Sequence, residues 1–596
     1  MKSIAFRTAS AVAAALLMTS CSAPSPVPSP AGEAGGTGSG ASDSRTPDAP
    51  SSGATSPTTE PEPGQQLQQH AVAAAHPEAV EAGMDILAQG GNAADAAVAT
   101  AFAVAVVEPY ASGIGGGGSV ILAGPGREPV SYDYREVVAQ DGRIPDSGTG
   151  VPGFVAGLAE LHAEHGDLDW DQVLEPAIGL AGDGFPVSEF LAQRLRSDFG
   201  PASIEGLNHY HDASGEPLAA GDRLVQRDLA QTMTTLAQEG PEVFYTGSLA
   251  QELTSVDGLD AASLAAYESE QVVPVGGNFG DYEVLSAAPP LPGAALVQQL
   301  QLAEALGIDG HEPGSPGYVD RLSEAWIAAE GSVKHLIGDP DFVDVPVDRL
   351  TDPEANARIA EQVNLLAGGA DVGAFTGPDA REGAVPGAGG ALVQAAGQPV
   401  TAGNTTHLTV VDQDGFTVSM TNTLTSFWGG SESEYVGGFF LNNQLSRFAT
   451  EESEANQPEP GRKSVSWSAP SMVLDDQGRP VLGLGSPGGH QIPNILTGVL
   501  VAWGLQGATL QEAVDAPRFH LQDGVLAVEE EPSPELAELI TARDWELQRT
   551  ERDQAIFGSV QALEIDYETG QITGARDSRR EADVAIADAD SPSGAE

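Results

Sequence analysis

The chain has 596 residues, a formal net charge of -59 and a single cysteine, Cys21. A surface this acidic repels nucleic acid and anionic lipid, so we expect neither as a partner. One cysteine excludes disulfides within the chain, and no group of histidines has the spacing of a metal site. We therefore predict no metal and no cofactor.

Residues 1–21 predict a lipoprotein-type secretory signal. Lys2 and Arg7 precede an apolar run over 11–18, which is too short to span a bilayer as a helix. Cys21 stands where a bacterial lipoprotein signal is cut and lipidated, with ordinary signal-peptidase cleavage as the alternative. We expect an extracytoplasmic protein, either secreted or held at the membrane through this lipid anchor only.

Residues 22–64 consist mainly of Ser, Pro, Gly, Thr and Ala. Such a composition lacks the apolar content needed to pack, so it predicts a disordered tether. The chain from residue 65 onward exceeds a single ordinary core, and either one large layered unit or two domains would fit.

The body of the chain opens with a segment, 69–108, that is rich in alanine and aliphatic residues at helical spacing. This pattern predicts helices. A Gly-Gly pair at 90–91 ends one helix, and Asn92 can cap the next. The segment 93–107 is apolar nearly all round, so we expect that helix to be buried.

A run of glycines at 113–118 precedes a short apolar strand. A phosphate-binding loop needs the opposite order, a strand before the glycines and a helix after them. The run therefore predicts close backbone packing, where side chains would not fit, and it does not predict nucleotide binding.

The segment 403–411 reads Gly-Asn-Thr-Thr-His-Leu-Thr-Val-Val, and Asp-Gly at 414–415 separates it from a second β-branched run. This pattern predicts two strands joined by a tight turn, with Thr405 at the start of the first strand. If the peptide there is strained, the hydroxyl of Thr405 can attack the carbonyl of Asn404. Hydrolysis of the resulting ester frees an α-amine, with a pKa near ~8 in model peptides, that can accept the hydroxyl proton.

This segment resembles the nucleophile region of the γ-glutamyltransferase family, whose members carry Thr-Thr-His, two strands and then Leu-Asn-Asn-Gln, here at 441–444. The resemblance covers roughly residues 65–590. It implies an α+β N-terminal nucleophile hydrolase, a four-layer αββα sandwich. It also implies self-cleavage between Asn404 and Thr405 into a large chain, 65–404, and a small catalytic chain, 405–596, which stay associated.

The resemblance also implies roles for individual residues. Thr405 would be the nucleophile and Thr423 would hydrogen-bond it. The backbone amides of Gly488 and Gly489 would stabilise the oxyanion. Arg135 would hold the α-carboxylate of the donor, because a guanidinium presents a planar fork to a carboxylate. Further substrate contacts would come from Gln444, Ser466, Thr425 and Arg447.

Three positions depart from the family pattern. Thr425 stands in place of an asparagine, Trp467 in place of a second serine, and Arg447 in place of the aspartate that pairs with the α-ammonium of the donor. The side chain at position 447 would then repel the α-ammonium and no longer attract it. At ~4 Å and an intermediate dielectric, the lost attraction and the new repulsion are each on the order of 4 kcal/mol. The contact could be restored by a nearby acid, Glu432, Glu434 or Glu451. Otherwise the pocket should prefer an acyl group with a carboxylate and no ammonium.

The sequence therefore predicts a self-cleaving threonine amidohydrolase or acyltransferase that acts on small γ-glutamyl amides through an acyl-threonine intermediate. One alternative is an acylase of the same fold for glutaryl or poly-γ-glutamyl amides, and another is an inactive, unprocessed cell-surface protein. A serine hydrolase built on Ser486 and His490 is disfavoured. Its nucleophile elbow would lack the first glycine and would carry proline after the serine.

Overall fold

The computed structural model describes residues 66–197, 199–367, 400 and 403–589. The predicted signal, the lipidation candidate Cys21 and the predicted tether lie outside the described residues. Within the described ranges, no helix has both the length and the apolar character that crossing a bilayer requires.

Strands form the centre of the fold. In chain order they are β1 Gln69–Ala74, β2 Gly117–Gly124, β3 Arg127–Asp133, β4 Phe185–Pro186, β5 Arg223–Leu224, β6 Glu270–Val272, β7 Val275–Phe279, β8 Tyr282–Ser286, β9 Thr406–Val411, β10 Thr417–Thr423, β11 Tyr435–Val436, β12 Phe439–Phe440, β13 Ser471–Leu474, β14 Pro480–Gly485, β15 Phe519–Gln522, β16 Val525–Val528, β17 Glu546–Arg549, β18 Gln561–Asp566, β19 Gln571–Arg576 and β20 Asp583–Asp588. Over the described residues they build a seven-stranded sheet, β20-β1-β9-β10-β2-β3-β6, and a six-stranded sheet, β19-β18-β14-β13-β8-β7. Neighbouring strands in both sheets are antiparallel.

Helices cover the outer face of each sheet. In chain order they are α1 Pro77–Ala88, α2 Ala93–Val107, α3 Phe154–His165, α4 Trp170–Asp183, α5 Glu189–Arg194, α6 Gly200–Ser203, α7 Arg227–Glu239, α8 Glu242–Tyr245, α9 Ser248–Leu253, α10 Ala261–Ala265, α11 Gly293–Ala305, α12 Pro316–Leu336, α13 Val347–Leu350, α14 Pro353–Ala367, α15 Arg447–Thr450, α16 Ile492–Leu500, α17 Leu510–Asp515 and α18 Pro534–Ala542. The buried helix α2 packs on β9 and β10, and α11 packs on β7 and β8. The two sheets face each other through β9, β10, β14 and β18. This arrangement confirms the predicted αββα sandwich.

The side chains of β9 alternate between two layers, as the period of a strand requires. Leu408 and Val410 join the apolar cluster beneath α2. His407 instead faces the second sheet, where a Cβ at Gly485 would lie only 2.2 Å from its Nδ1 atom. Burial lowers the pKa of His407 to about 3. This imidazole is therefore neutral, and Nδ1 lies 2.7 Å from Oγ1 of Thr421.

The predicted glycine packing is found at the start of β2. A Cβ at Gly115 would lie 2.3 Å from the backbone oxygen of Phe440, and one at Gly116 would lie 2.3 Å from that of Thr423. Glycine is thus required at both positions by the approach of other backbone segments.

The prediction of a helix from residue 69 is wrong for its first residues, because Gln69–Ala74 forms β1. This strand lies between β20 and β9 and hydrogen-bonds to both. Its alanines are buried on both faces, so the sequence shows no alternation. Pairing with two neighbours outweighs the helix preference of alanine.

The predicted cap at Asn92 is present and gives a test of fold stability. Its Oδ1 accepts from the amides of Ala94 and Asp95 at 2.8 and 3.2 Å. Asn92→Ala should lower the free energy of unfolding by about 1 kcal/mol, because those amides lose their acceptor. Chemical denaturation measures the change. Glu81→Ala, exposed on α1, should stay within about 0.5 kcal/mol of the wild type, and an equal effect of both changes would contradict the capping role.

Candidate active site

The candidate site lies between the two sheets, at the end where β9 begins and where β10 and β14 end. Thr405 immediately precedes β9, Thr423 ends β10, and Gly488 follows β14 by three residues. The fold thus brings together three segments that are distant in the sequence.

The hydroxyls of Thr405 and Thr423 are in direct contact. Their Oγ1 atoms lie 3.1 Å apart, and Oγ1 of Thr423 also accepts a hydrogen bond of 2.8 Å from the amide of Thr425. Oγ1 of Thr423 is thus held between the hydroxyl of Thr405 and the amide of Thr425. All three residues are buried.

The backbone at Thr405 is strained. Its φ angle is +105°, in a region that a β-branched residue rarely adopts. Such conformations cost about 1–3 kcal/mol and persist only where the surroundings hold them. The backbone next to the Asn404–Thr405 peptide is therefore strained, as attack of the Thr405 hydroxyl on this peptide requires.

The carbonyl of Asn404 faces a backbone donor from the second sheet. Its oxygen accepts from the amide of Gly488 at 3.3 Å. A Cβ at Gly403 would lie 2.4 Å from the amide nitrogen of Gly489, so this amide also lies close to the same peptide segment. Gly488 and Gly489 have φ angles of +142° and +57°, which glycine adopts readily. A negative charge developing on the Asn404 oxygen would be stabilised by the Gly488 donor.

Arg580 is a site residue that the sequence analysis missed. One Nη atom donates to the carbonyl of Gly403 at 2.7 Å, and the other donates to the carbonyl of Thr405 at 3.2 Å. Its guanidinium therefore holds the backbone on both sides of the Asn404–Thr405 peptide. Arg580 lies 175 residues from Thr405 and belongs to no recognisable motif, so no sequence signal could have found it.

A buried carboxyl group lies behind this arginine. Burial raises the pKa of Glu108, and the positive charge of Arg580 opposes that rise. The hydroxyl of Tyr110 donates to Oε1 of Glu108 at 2.6 Å. The charge of Arg580 is thus opposed by a buried carboxyl group that Tyr110 holds in place.

Gln444 and Thr425 are joined within the predicted donor pocket. The hydroxyl of Thr425 donates to Oε1 of Gln444, and Nε2 of Gln444 donates to Oγ of Ser464 at 2.8 Å. Thr425 has a φ of +77°. Ser466 is buried two residues beyond Ser464.

Arg135 is buried, with 1% of its side chain exposed, and its fork is turned toward Asp133. Nε and Nη2 donate to the two carboxylate oxygens of Asp133, each at 3.1 Å. Nη1 donates to the carbonyl of Ser464 at 2.8 Å. These contacts take three of the five N–H groups of a guanidinium. Ser464 thus connects Arg135 with Gln444.

Of the three acids considered as partners of Arg447, Glu451 is the one in contact. Nη1 of Arg447 lies 3.5 Å from Oε1 of Glu451, and 21% of the arginine side chain is exposed. Nε1 of Trp467 donates to the same oxygen at 3.1 Å. Glu432 and Glu434 instead line a separate acidic cavity of about 290 Å³.

The serine-hydrolase geometry is absent around Ser486. Its buried hydroxyl donates to the carbonyl of Pro487 at 2.6 Å and accepts from the amide of Ser559 at 3.2 Å. The ring of His490 contacts Glu330 and His520 instead. Among the described residues, no cluster of three or more His, Cys, Asp or Glu side chains is arranged to hold a metal ion.

The fold and this site define an N-terminal nucleophile hydrolase. A family model described as Gamma-glutamyltranspeptidase matches residues 79–587. The chain therefore belongs to the γ-glutamyltranspeptidase family, as the sequence predicted, and is an enzyme that hydrolyses or transfers γ-glutamyl groups.

Individual relatives agree with this assignment. The chain is 33% identical to the capsule biosynthesis protein CapD proenzyme of Bacillus anthracis, over 86% of this chain and 89% of that one. It is 32% identical to the glutathione hydrolase proenzyme of Escherichia coli (strain K12), over 86% and 91%. A solved structure of LmbA2991T421A superposes with a TM-score of 0.74 at 26% identity, over 88% of this chain and 99% of that one.

The contacts of Arg580 generate a prediction about processing. Arg580→Lys should slow self-cleavage at least about 10-fold, because one ammonium cannot hold two carbonyls as a planar guanidinium does. Appearance of the two product bands on a denaturing gel measures the rate. Arg576→Lys, at a largely exposed arginine nearby, is the matched control. Cleavage of the Arg580→Lys precursor at the wild-type rate would exclude this role.

Proposed function

We propose that the chain cuts itself between Asn404 and Thr405, into 65–404 and 405–596, and that Thr405 then carries the γ-glutamyl group during turnover. The observation that carries this proposal is the geometry of one peptide bond. It combines a φ of +105° at Thr405 with a Gly488 amide 3.3 Å from the Asn404 oxygen.

Self-cleavage begins with attack of the Thr405 hydroxyl oxygen on the carbonyl carbon of Asn404. The negative charge that forms on the carbonyl oxygen meets the Gly488 amide. The C–N bond then breaks, its nitrogen takes the hydroxyl proton, and an ester joins Asn404 to Oγ1 of Thr405. Water hydrolyses this ester, which leaves a carboxylate on Asn404 and a free α-amine on Thr405. Loss of the strained φ favours the products.

Turnover repeats the same chemistry on a γ-glutamyl amide. The new α-amine takes the proton of the Thr405 hydroxyl as that oxygen attacks the γ-carbonyl carbon. Gly488 and Gly489 stabilise the oxyanion, Thr423 orients the nucleophile, and the leaving amine departs with a proton. Water then releases glutamate, or an acceptor amine takes the acyl group. Both routes pass through the same acyl-threonine.

Donor binding is assigned to the residues that meet around Ser464. Arg135 would direct its remaining N–H groups to the α-carboxylate of the donor. Further contacts with the donor would come from Gln444, Ser466, Thr425 and Arg447. The hydrogen bonds that link Arg135 and Gln444 through Ser464 support a single preformed pocket.

A second candidate substrate class follows from Arg447. Its pairing with Glu451 makes the local charge neutral, where the family pattern has an anion for the α-ammonium. A glutaryl group, or a residue within a γ-linked glutamate chain, carries no such ammonium and therefore does not need an unpaired anion at this position. We also propose that the protein is extracytoplasmic, either anchored to the membrane through a lipid on Cys21 or secreted.

Thr405→Ala should abolish both self-cleavage and turnover, because one hydroxyl serves both steps. The loss of kcat should be on the order of 10³-fold or more. Thr405→Ser keeps the hydroxyl and should retain both activities at lower rates. A denaturing gel, N-terminal sequencing of the small chain and an assay with γ-glutamyl anilide measure these outcomes.

Thr541→Ala, on an exposed helix position, should match the wild type. Small chains that do not begin at Thr405, or turnover that survives in Thr405→Ala, would contradict the proposed nucleophile. A single full-length band from the wild type would contradict the proposed self-cleavage.

Donor preference is measured by comparing kcat/KM for γ-glutamyl anilide and glutaryl anilide. Arg447→Met removes the cation and leaves Glu451 to meet an α-ammonium, so it should shift the ratio toward the γ-glutamyl donor by at least about 10-fold. Arg358→Met, at an exposed arginine of α14, should leave the ratio unchanged. A wild-type enzyme that already strongly prefers γ-glutamyl anilide would contradict the second candidate, and an unchanged ratio in Arg447→Met would show that this arginine does not select the donor.

A further inference from the structure

The turn that supplies the oxyanion amides needs a restraint that its own glycines cannot provide. Gly488 and Gly489 both have positive φ angles, and glycine has the greatest backbone freedom of any residue. On the upstream side the turn is tied through Ser486, whose hydroxyl accepts from the amide of Ser559 at 3.2 Å. On the downstream side, the first side chain after the glycines is that of His490.

His490 is held at both ring nitrogens by side chains from other elements. Its Nε2 lies 2.9 Å from Oε1 of Glu330, which is on α12, and 13% of the His490 side chain is exposed. Its Nδ1 lies 3.2 Å from Nε2 of His520, on β15. The position of the ring is therefore set by two elements that are remote from the turn in the sequence.

Glu330 is the charged anchor of this arrangement. Lys334 lies on the same helix, with Nζ 2.6 Å from the same carboxylate oxygen. Burial raises the pKa of Glu330, but His490 and Lys334 outweigh that effect and lower it to about 2. Burial holds the pKa of His520 well below its ordinary value, so that ring is neutral.

The His490 ring also contacts the donor side of the pocket. It packs edge-on against Trp467, with 4.3 Å between ring centroids. Trp467 follows Ser466 directly, and its indole N–H donates to Glu451, the partner of Arg447. One imidazole thus separates the oxyanion turn from the residues proposed to bind the donor.

We infer that His490 is a positioning residue for the reaction. Glu330 and His520 fix its ring, and the ring fixes the direction in which the Gly488 and Gly489 amides point. The inference rests on the proposed function of Thr405. It extends to self-cleavage, because the Gly488 amide already contacts the Asn404 oxygen in the uncut chain.

The test is a series at position 490 read by two independent rates. His490→Ala should lower kcat for γ-glutamyl anilide by about 10- to 100-fold, with KM changed less than about 3-fold. An oxyanion amide contributes roughly 10²–10³-fold to the rate, and a backbone N–H that points in the wrong direction loses part of that effect. Self-cleavage should slow by a similar factor. His490→Gln should recover most of both rates, since its amide N–H can reach Glu330. His335→Ala, an exposed histidine on α12, is the control.

Turnover is expressed per active site, counted from the acyl-enzyme burst, and self-cleavage is expressed as the first-order rate constant for loss of the uncut chain. Wild-type rates per site in His490→Ala would overturn the inference, as would a lower melting temperature with unchanged rates per site. If His490→Ala does not fold, the same two rates are measured on Glu330→Gln. It keeps the shape of the anchor without its charge, and unchanged rates there would overturn the inference equally. If wild-type protein cuts itself but does not turn over γ-glutamyl anilide, the proposed substrate fails while the self-cleavage series still tests His490.

Discussion

The site depends on the register between β9 and β10. Asn422 lies opposite Thr406 and Thr421 lies opposite His407, so the strand ends bring Thr405 to Thr423. Because side chains alternate along a strand, a slip of one residue would turn Thr405, the proposed nucleophile, away from the second sheet. The Asp-Gly turn at 414–415 and the apolar side chains packed beneath α2 both hold this register, so the reactive contact is a consequence of ordinary hairpin and core packing.

The same register continues into the next strands. Thr423 lies opposite Gly117, and a Cβ at Gly117 would lie 2.9 Å from Cα of Arg135. Thr405, the proposed nucleophile, its hydroxyl partner Thr423 and the proposed carboxylate-binding Arg135 therefore follow one line across the sheet. At about 4.8 Å per strand, their backbones span roughly 14 Å. Only glycine at position 117 lets the segment that follows β3 approach this closely, which explains why the glycine run extends into β2.

Local patterns predicted the parts of this structure that local interactions determine. The cap at Asn92, the buried helix after it and the hairpin around residue 415 each follow from a few neighbouring residues. The strand Gln69–Ala74 could not be predicted in this way, because its partners in the sheet, and not its own alanines, decide its conformation. Arg580 and His490 lay beyond prediction for a related reason. Each acts through contacts with residues far away in the sequence, and neither contact leaves a periodic or compositional trace.

Arg447 and Trp467, two of the positions at which the sequence predicts departures from the family pattern, are joined through one acid. Both side chains contact the same oxygen of Glu451, at 3.5 and 3.1 Å. An arginine alone would leave a partly buried cation without a counter-charge, whereas the acid neutralises it and the indole N–H fixes the position of the acid. If Arg447 lies in the donor pocket as we propose, a donor meets a neutral, pre-oriented ion pair there and not an isolated anion. Replacing either member of the pair would leave the other unpaired, so the charge that a donor would meet here depends on both residues.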